Sequence, residues 1–163
     1  MTTEWRTKST TMADCLRHIF DTKDHADVTF EFPRSEGRTI KAHKLVLSMR
    51  SAVFETMFYG SKAVQSDTVV IEDIEADTFE HMLRFLYTDE FDVPPAYGVK
   101  CLFAARLYSL ETFVVKCEHF LKESLSPETV CFVLEEAKLF NLSDLHDLCD
   151  AYILDNADVV MAV

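Results

Sequence analysis

The stretch from Ala42 to Gly60, AHKLVLSMRSAVFETMFYG, constrains the fold of this chain more than any other. It holds two apolar segments separated by a polar break at Ser48–Ser51. Beyond the break, apolar residues recur at i, i+1, i+4 and i+5, which places them on one face of a helix. Gly60 follows the last of them, where a left-handed C-terminal cap is common. We therefore expect two short helices joined as a hairpin, with inward side chains at Leu45, Val46, Val53, Phe54 and Met57.

The composition suits one domain, or one domain with a small extension, in 163 residues. A hydrophobic share of 48% is enough for a core without disulfides or metals. The net charge of -12 repels phosphate backbones and anionic lipids, so binding to nucleic acid or to membranes is disfavoured. The apolar runs are far shorter than the roughly 20 residues that are needed to span a bilayer.

The cysteines and the N-terminal residues bear on the cellular compartment of the protein. The five cysteines are odd in number, widely spaced and without a C-x-x-C pair, which is typical of buried thiols in a reducing environment. The N-terminal residues lack the apolar core of a signal peptide. These observations predict a cytoplasmic protein, with the nucleus as a second compartment.

The first part of the chain mixes helix and strand patterns. Residues 1–9 are polar and are expected to be flexible. Residues 10–23 predict an amphipathic helix whose apolar stripe docks either on its own domain or on a neighbouring chain. The stripe consists of Met12, Cys15, Leu16, Ile19 and Phe20. The patterns that follow predict a strand at 27–32, a return strand at 39–42, a further β segment at 68–72 and a helix at 76–88.

The second part of the chain is purely helical by pattern. Pro94-Pro95 stops regular structure, and apolar residues recur at helical spacing from Ala96 onward. The predicted helices span 99–107, 110–125, 130–140 and 144–155. Because strand and helix do not alternate as in a doubly wound sheet, we predict an α+β protein. In it a small sheet packs on a cluster of helices, and a short all-helical tail follows.

Catalytic and metal-binding sites find little support in the sequence. Gly-rich phosphate-binding motifs and G-x-S-x-G are absent. Cys117-x-His119 cannot chelate a metal from a regular helix, whereas His146 and Cys149, three residues apart, can face one way. The simpler interpretation is that three cysteines are core residues, namely Cys117, Cys131 and Cys149. His43 is interpreted as a structural hydrogen-bonding residue between strand and helix. We therefore predict no catalytic residue, no cofactor and no metal.

Three motifs occur in order along the chain, ADVTFEF, AHKLVLSMRSAVFETMF and TVVIEDIEADTFEHMLRFLYTDE. Together they resemble the BTB/POZ domain from about Ala13 to Ser124, with several matches in register. The continuation LSPETVCFVLEEAKLFNLSDLHDLCDAYI resembles the helices that open a BACK domain, of the 3-box type. The resemblance implies a BTB/POZ domain at 10–124 after the flexible segment, and the N-terminal helices of a BACK domain at 125–163.

The resemblance also implies a homodimer. In this family the N-terminal helix is often exchanged between two protomers, and a two-fold contact is the commonest oligomer form. A charged pair of Asp27 with Lys44 would lie near the dimer seam. The implied interface residues are Met12, Cys15, Leu16, Ile19, Phe20, Asp27 and Lys44.

A second implied partner is the N-terminal region of cullin-3, the scaffold of a ubiquitin ligase. The matching positions are Tyr59, Val64, Gln65, Tyr87, Phe91 and Tyr108. Aromatic side chains are effective interface anchors, although Tyr87 and Tyr108 could also be rim-of-core residues. Gln65 stands where strong cullin binders carry the glutamate of a hydrophobic-x-Glu signature, so a charge-assisted hydrogen bond is missing.

The sequence thus predicts a non-enzymatic, homodimeric adaptor that binds cullin-3 and presents an unidentified substrate through a further C-terminal domain. The alternative is a BTB dimerisation scaffold without ligase function, which recruits a transcriptional co-repressor or assembles another protein. The helical tail favours the adaptor, because repressor-type BTB domains usually end near Ser124. No nucleic-acid or membrane partner is expected.

Overall fold

The computed structural model describes Trp5, Lys8, Ser9 and residues 11–161. It contains two compact units, Met1–Asp92 and Val93–Val163. The boundary lies beside the Pro94-Pro95 pair, where the sequence predicts the change from mixed to helical structure. The first unit combines helices with a small mixed sheet, and the described part of the second unit is helical. The predicted α+β class is confirmed.

Trp5 packs against the helix that follows it. Its ring stacks on the ring of His18 with 4.0 Å between the centroids and an interplanar angle of 15°. The Ser9 N–H donates a hydrogen bond to the Trp5 carbonyl oxygen at 2.9 Å. Most other residues of the segment predicted to be flexible, 1–4, 6 and 7, lie outside the described residues.

The first unit is built on a three-stranded sheet. Its elements are α1 (Met12–Thr22), β1 (Val28–Phe32), β2 (Arg38–Ala42), α2 (Lys44–Arg50), α3 (Ala52–Tyr59), β3 (Thr68–Val70) and α4 (Ala76–Thr88). β1 lies between the other two strands, antiparallel to β2 and parallel to β3. Side chains alternate along β1, so Val28, Phe30 and Phe32 are buried on the face that the helices cover.

An aromatic cluster fills the space between this sheet face and the helices. Phe79 of α4 is fully buried, and its ring centroid lies 4.8 Å from that of Phe30 and 5.2 Å from that of Phe32. Phe54 of α3 meets Phe79 edge-on at 6.3 Å. Tilted and edge-to-face pairs each contribute about 0.5–1.5 kcal/mol beyond the burial of their area. The cluster therefore fixes α3 and α4 on the same face of the sheet.

The predicted helical hairpin forms, but its break is narrower than expected. Ser51 alone separates α2 from α3. Its Oγ accepts a hydrogen bond from the Phe54 N–H at 3.2 Å and so caps α3. Gly60 has φ −70° and ψ 172°, so the prediction of a left-handed cap is wrong. Glycine is favoured there by a close approach instead, because a Cβ would lie 2.4 Å from the Thr56 carbonyl oxygen.

A close approach at Gly98 and the ion pairs of Arg106 hold helices of the second unit together. Its elements are a 3₁₀ turn (Pro95–Tyr97), α5 (Gly98–Leu107), α6 (Glu111–Ser124), α7 (Val130–Leu139), α8 (Ser143–Asp155) and α9 (Ala157–Val160). A Cβ at Gly98 would lie 2.9 Å from Leu121 Cδ2, so α5 and α6 approach closely. The Arg106 guanidinium lies 2.9 Å from Glu118 and 2.9 Å from Asp144, which ties α5 to α6 and α8.

Among the described residues of both units, we find no helix with the length and hydrophobicity that a membrane span requires.

Candidate functional site

α1 docks on its own unit through one end of its apolar stripe. Phe20 is 2% exposed, and its ring centroid lies 5.2 Å from that of Tyr87 on α4. Met12, at the other end, is 74% exposed. The residues between them are half-buried, namely Cys15, Leu16 and Ile19. Phe20 is therefore a core residue of this unit, while the outer part of the stripe can still meet a partner.

α2 exposes an apolar face that includes Leu45, a residue predicted from the sequence to point into the core. Leu45 is 63% exposed and Met49 is 75% exposed, one turn apart on the same face. Leu47, on the opposite face, is fully buried. The inward position predicted for Leu45 is wrong, because a helix of 7 residues with apolar side chains on both faces has no periodicity that tells them apart.

Asp27 and Lys44 meet, but not as the predicted charged pair. Asp27 Oδ1 accepts a hydrogen bond from the Lys44 backbone N–H at 2.7 Å, where a carboxylate complements the positive end of the α2 dipole. The Lys44 ammonium lies 2.6 Å from Asp67 Oδ1 instead. The hydrogen bond to Asp67 is the main cause that raises the pKa of Lys44. The prediction is corrected accordingly, because the carboxylate that binds the ammonium comes from the loop before β3.

Residues 61–67 form a loop with its own hydrogen bonds. The Val64 N–H donates to the Met57 carbonyl oxygen at 2.9 Å, which ties the loop back to α3. The Gln65 side-chain amide donates to the Ala63 carbonyl oxygen at 3.2 Å. Val64 is 40% exposed, and Gln65 is also exposed. The loop thus presents an apolar side chain next to a neutral amide.

The other predicted cullin-binding residues divide into surface and interior positions. Tyr59, the last residue of α3, is 58% exposed, and Phe91 is half-buried. Tyr87 is 2% exposed and Tyr108, in the second unit, is 5% exposed. Both buried tyrosines fit the rim-of-core alternative. In the first unit, the residues of the predicted set that reach the surface are Tyr59, Val64, Gln65 and Phe91.

His43 joins α4 to the segment before β1. Its Nε2 lies 2.7 Å from the Asp24 carbonyl oxygen, which can only accept, so Nε2 carries the ring proton. Nδ1 is then an acceptor and takes a hydrogen bond from the Tyr87 hydroxyl at 2.7 Å. The same hydroxyl oxygen accepts from the His43 backbone N–H at 2.9 Å. His43 is therefore a structural hydrogen-bonding residue, as the sequence predicts.

The described residues offer no obvious reactive centre. Within the described part of the chain, no group of three or more His, Cys, Asp and Glu side chains is placed to hold a metal ion. Burial raises the pKa of Cys101 to about 12 and that of Cys149 to about 11, so both thiols stay protonated at neutral pH. Cys131 is exposed, so its predicted core position is wrong. The inward face of α7 is formed by Val130 and Val133 instead.

The first unit exposes apolar side chains on α1, on α2 and in the 61–67 loop. The family model of the BTB/POZ domain matches residues 16–125. The chain belongs to the BTB/POZ domain family, whose domains are protein-interaction modules.

Relatives match through both units. BTB/POZ domain-containing protein 6 of Homo sapiens is 32% identical over 158 residues, which are 96% of this chain and 29% of that protein. BTB/POZ domain-containing protein 3 of Homo sapiens is 32% identical over 158 residues, which are 96% of this chain and 30% of that protein. BTB/POZ domain-containing protein 6-A of Danio rerio is 30% identical over 158 residues, again 96% of this chain and 29% of the relative. The chain therefore spans about three tenths of the length of these curated relatives.

Proposed function

We propose that this chain is the homodimeric, non-enzymatic part of a substrate adaptor that binds the N-terminal region of cullin-3 in a ubiquitin ligase complex. The observation that carries the proposal is the hydrogen-bonded loop 61–67, which holds Val64 exposed directly after the helix that ends in the exposed Tyr59. Membership of the BTB/POZ family supports a protein-binding role. Other proteins would transfer the ubiquitin, and a further C-terminal domain would take the unidentified substrate.

Residues 125–163 are proposed to contain the opening helices of a BACK domain. The match to the relatives, which covers 96% of the chain, supports a common helical extension after the BTB/POZ domain. α7 exposes Phe132 by 52% and Leu139 by 73%, so this extension offers apolar surface to a further partner. The proposed place of action is the cytoplasm, with the nucleus as a second compartment.

Calorimetry with the purified cullin-3 N-terminal domain tests the adaptor. We expect the chain to bind with a dissociation constant below about 10 μM, a free energy of roughly −7 kcal/mol. Val64→Asp is expected to weaken binding at least about tenfold, because a carboxylate would lose its water in an apolar contact. Val159→Asp is the matched control, since Val159 is 54% exposed on α9, outside the loop. Absence of wild-type binding contradicts the adaptor, and equal affinities of the two variants remove Val64 from the contact.

Light scattering tests the dimer. Leu45→Asp combined with Met49→Asp is expected to raise the dimer dissociation constant by more than about 100-fold, because two carboxylates per protomer would be buried at the seam. Leu139→Asp with Leu154→Asp is the matched control, since these residues are 73% and 79% exposed on α7 and α8. A dimer that persists in the first variant places the seam elsewhere.

A dimerising scaffold without ligase function is the second candidate. It is favoured by Gln65, whose neutral amide donates to the Ala63 carbonyl oxygen where strong cullin binders carry an acid. Its distinguishing result is a wild-type chain that dimerises in light scattering and gives no heat with the cullin-3 domain.

A further inference from the structure

Lys44 connects α2 to the loop 61–67. It is the first residue of α2, directly before the exposed Leu45. Its ammonium lies 2.6 Å from Asp67 Oδ1, at the end of the loop, and the side chain of Lys44 is 19% exposed against 83% for that of Asp67. The contact therefore ties an exposed loop residue to a lysine whose side chain lies mostly against the protein.

Two further groups contact Lys44. Asp27 accepts a hydrogen bond from its backbone N–H at 2.7 Å. The Phe58 ring centroid lies 6.0 Å from the ammonium, at the outer limit of a cation–π contact. Asp67 does most to raise the pKa of Lys44, and the nearby Asp27 and Tyr59 raise it further. Because Asp27 fixes the backbone of Lys44, the ion pair forms when the loop brings Asp67 to the ammonium.

We propose that Lys44 is a positioning residue, which holds the loop 61–67 in the conformation that presents Val64 and couples the loop to the α2 face of Leu45 and Met49. This rests on the proposed function, in which the loop contacts cullin-3 and the α2 face contacts a second copy of the chain. A second copy on that face excludes water from the surroundings of Lys44. Ion pairs are stronger where water is excluded, so dimerisation orders the loop for cullin-3.

The coupling acts in both directions, because the linkage between two binding sites is reciprocal. Cullin-3 that holds Asp67 against Lys44 also fixes the start of α2, and so tightens the dimer by the same factor. An ion pair with one exposed partner supports a modest effect, about 3- to 10-fold in either affinity.

Hydrogen exchange of the Val64 amide, measured on the chain alone, is the primary test. This amide donates to the Met57 carbonyl oxygen, so its exchange reports on the loop conformation. Lys44→Met removes the charge and keeps the stem, and is expected to speed the exchange about fivefold. Lys44→Arg keeps the charge and is expected to stay within about twofold of wild type. Lys62→Met, an exposed lysine in the same loop, is the matched control without effect.

Asp67→Asn supplies the second arm of the test. Asp67→Asn and Lys44→Met break the same ion pair, so the double variant is expected to exchange no faster than the faster single variant. Additive effects overturn the proposal. A Val64 amide that exchanges at the wild-type rate in Lys44→Met overturns it as well.

Binding of the cullin-3 domain gives a separate readout. Lys44→Met is expected to weaken binding about 3- to 10-fold, and Lys44→Arg is expected to retain it. A wild-type chain that does not bind contradicts the proposed function, while the exchange comparison still decides the role of Lys44 in the loop. Equal losses of affinity in both variants, with wild-type exchange of Val64, would overturn the positioning role.

Discussion

Phe79→Ala is expected to lower the free energy of unfolding by about 3–5 kcal/mol. Phe79 is fully buried, with ring centroids 4.8 Å from Phe30 and 5.2 Å from Phe32. Truncation removes these contacts and leaves a cavity, which the hydrogen-bonded sheet beneath it cannot close without breaking its register. A domain is stable by only about 5–15 kcal/mol, so the variant loses a large share of its stability.

Urea unfolding followed by far-UV circular dichroism measures this loss. Phe132→Ala is the matched control, because Phe132 is 52% exposed, and it is expected to change the stability by less than about 0.5 kcal/mol. A loss below about 1 kcal/mol for Phe79→Ala would show that the aromatic cluster does not hold the core.

Thr78→Val, next to Phe79 in sequence, is expected to raise the free energy of unfolding by up to about 1 kcal/mol in the same urea measurement. Thr78 Oγ1 is buried without a hydrogen-bond partner among the described residues, and valine removes that hydroxyl at similar volume.

Tyr87→Phe is expected to cost about 1–3 kcal/mol of stability although it removes a single oxygen atom. The hydroxyl accepts a hydrogen bond from the His43 backbone N–H at 2.9 Å and donates one to His43 Nδ1 at 2.7 Å. Phenylalanine leaves both His43 groups without these partners in a buried position, and an unsatisfied buried group loses its full hydration. Tyr59→Phe is the control, because Tyr59 is 58% exposed and its hydroxyl can bond to water.

The contribution of Tyr87 also depends on pH. Burial raises the pKa of its phenol above the ordinary value near 10. A pKa that is higher in the folded state means that the fold favours the neutral phenol over the ionised phenolate. The stability that the buried Tyr87 hydroxyl contributes is therefore complete below about pH 10 and is lost as the pH rises further. The stability difference between wild type and Tyr87→Phe is therefore expected to be constant from about pH 7 to pH 9 and to shrink above about pH 10. Urea titrations across this range measure it, and a difference that grows with alkali would contradict the buried hydroxyl.

Regular patterns of sufficient length made much of the fold predictable. Val28, Phe30 and Phe32 alternate with polar residues, and this period alone places β1 with one face buried. The helix predicted at 76–88 coincides with α4, because it repeats an apolar spacing over several turns. The change from mixed to helical structure at Pro94-Pro95 follows from the loss of strand patterns and from the geometry of proline.

The candidate site was less predictable for physical reasons that differ by residue. α2 is too short for its pattern to separate the exposed Leu45 from the buried Leu47. The pairing of Lys44 with Asp67 depends on where a loop returns, which neither propensity nor spacing encodes. Gly60 was expected to supply a positive φ, but glycine also serves where a Cβ would clash with the backbone carbonyl of the preceding helical turn, and the sequence does not distinguish these uses.

The segment between β2 and β3 leaves and re-enters the sheet at the same end. Ala42, where β2 ends, pairs with Val28, and Thr68, where β3 begins, pairs with the adjacent Thr29. With one strand between them, these two attachment points are about 10 Å apart. Leu47 and Phe54 anchor the helices of this segment in the core, whereas its exposed loop 61–67 can be exchanged or lengthened with little effect on the strands. Doubling the length of a flexible loop costs only about 0.6 kcal/mol. The loop is therefore the part of this segment in which one BTB/POZ sheet can acquire different binding specificities during evolution.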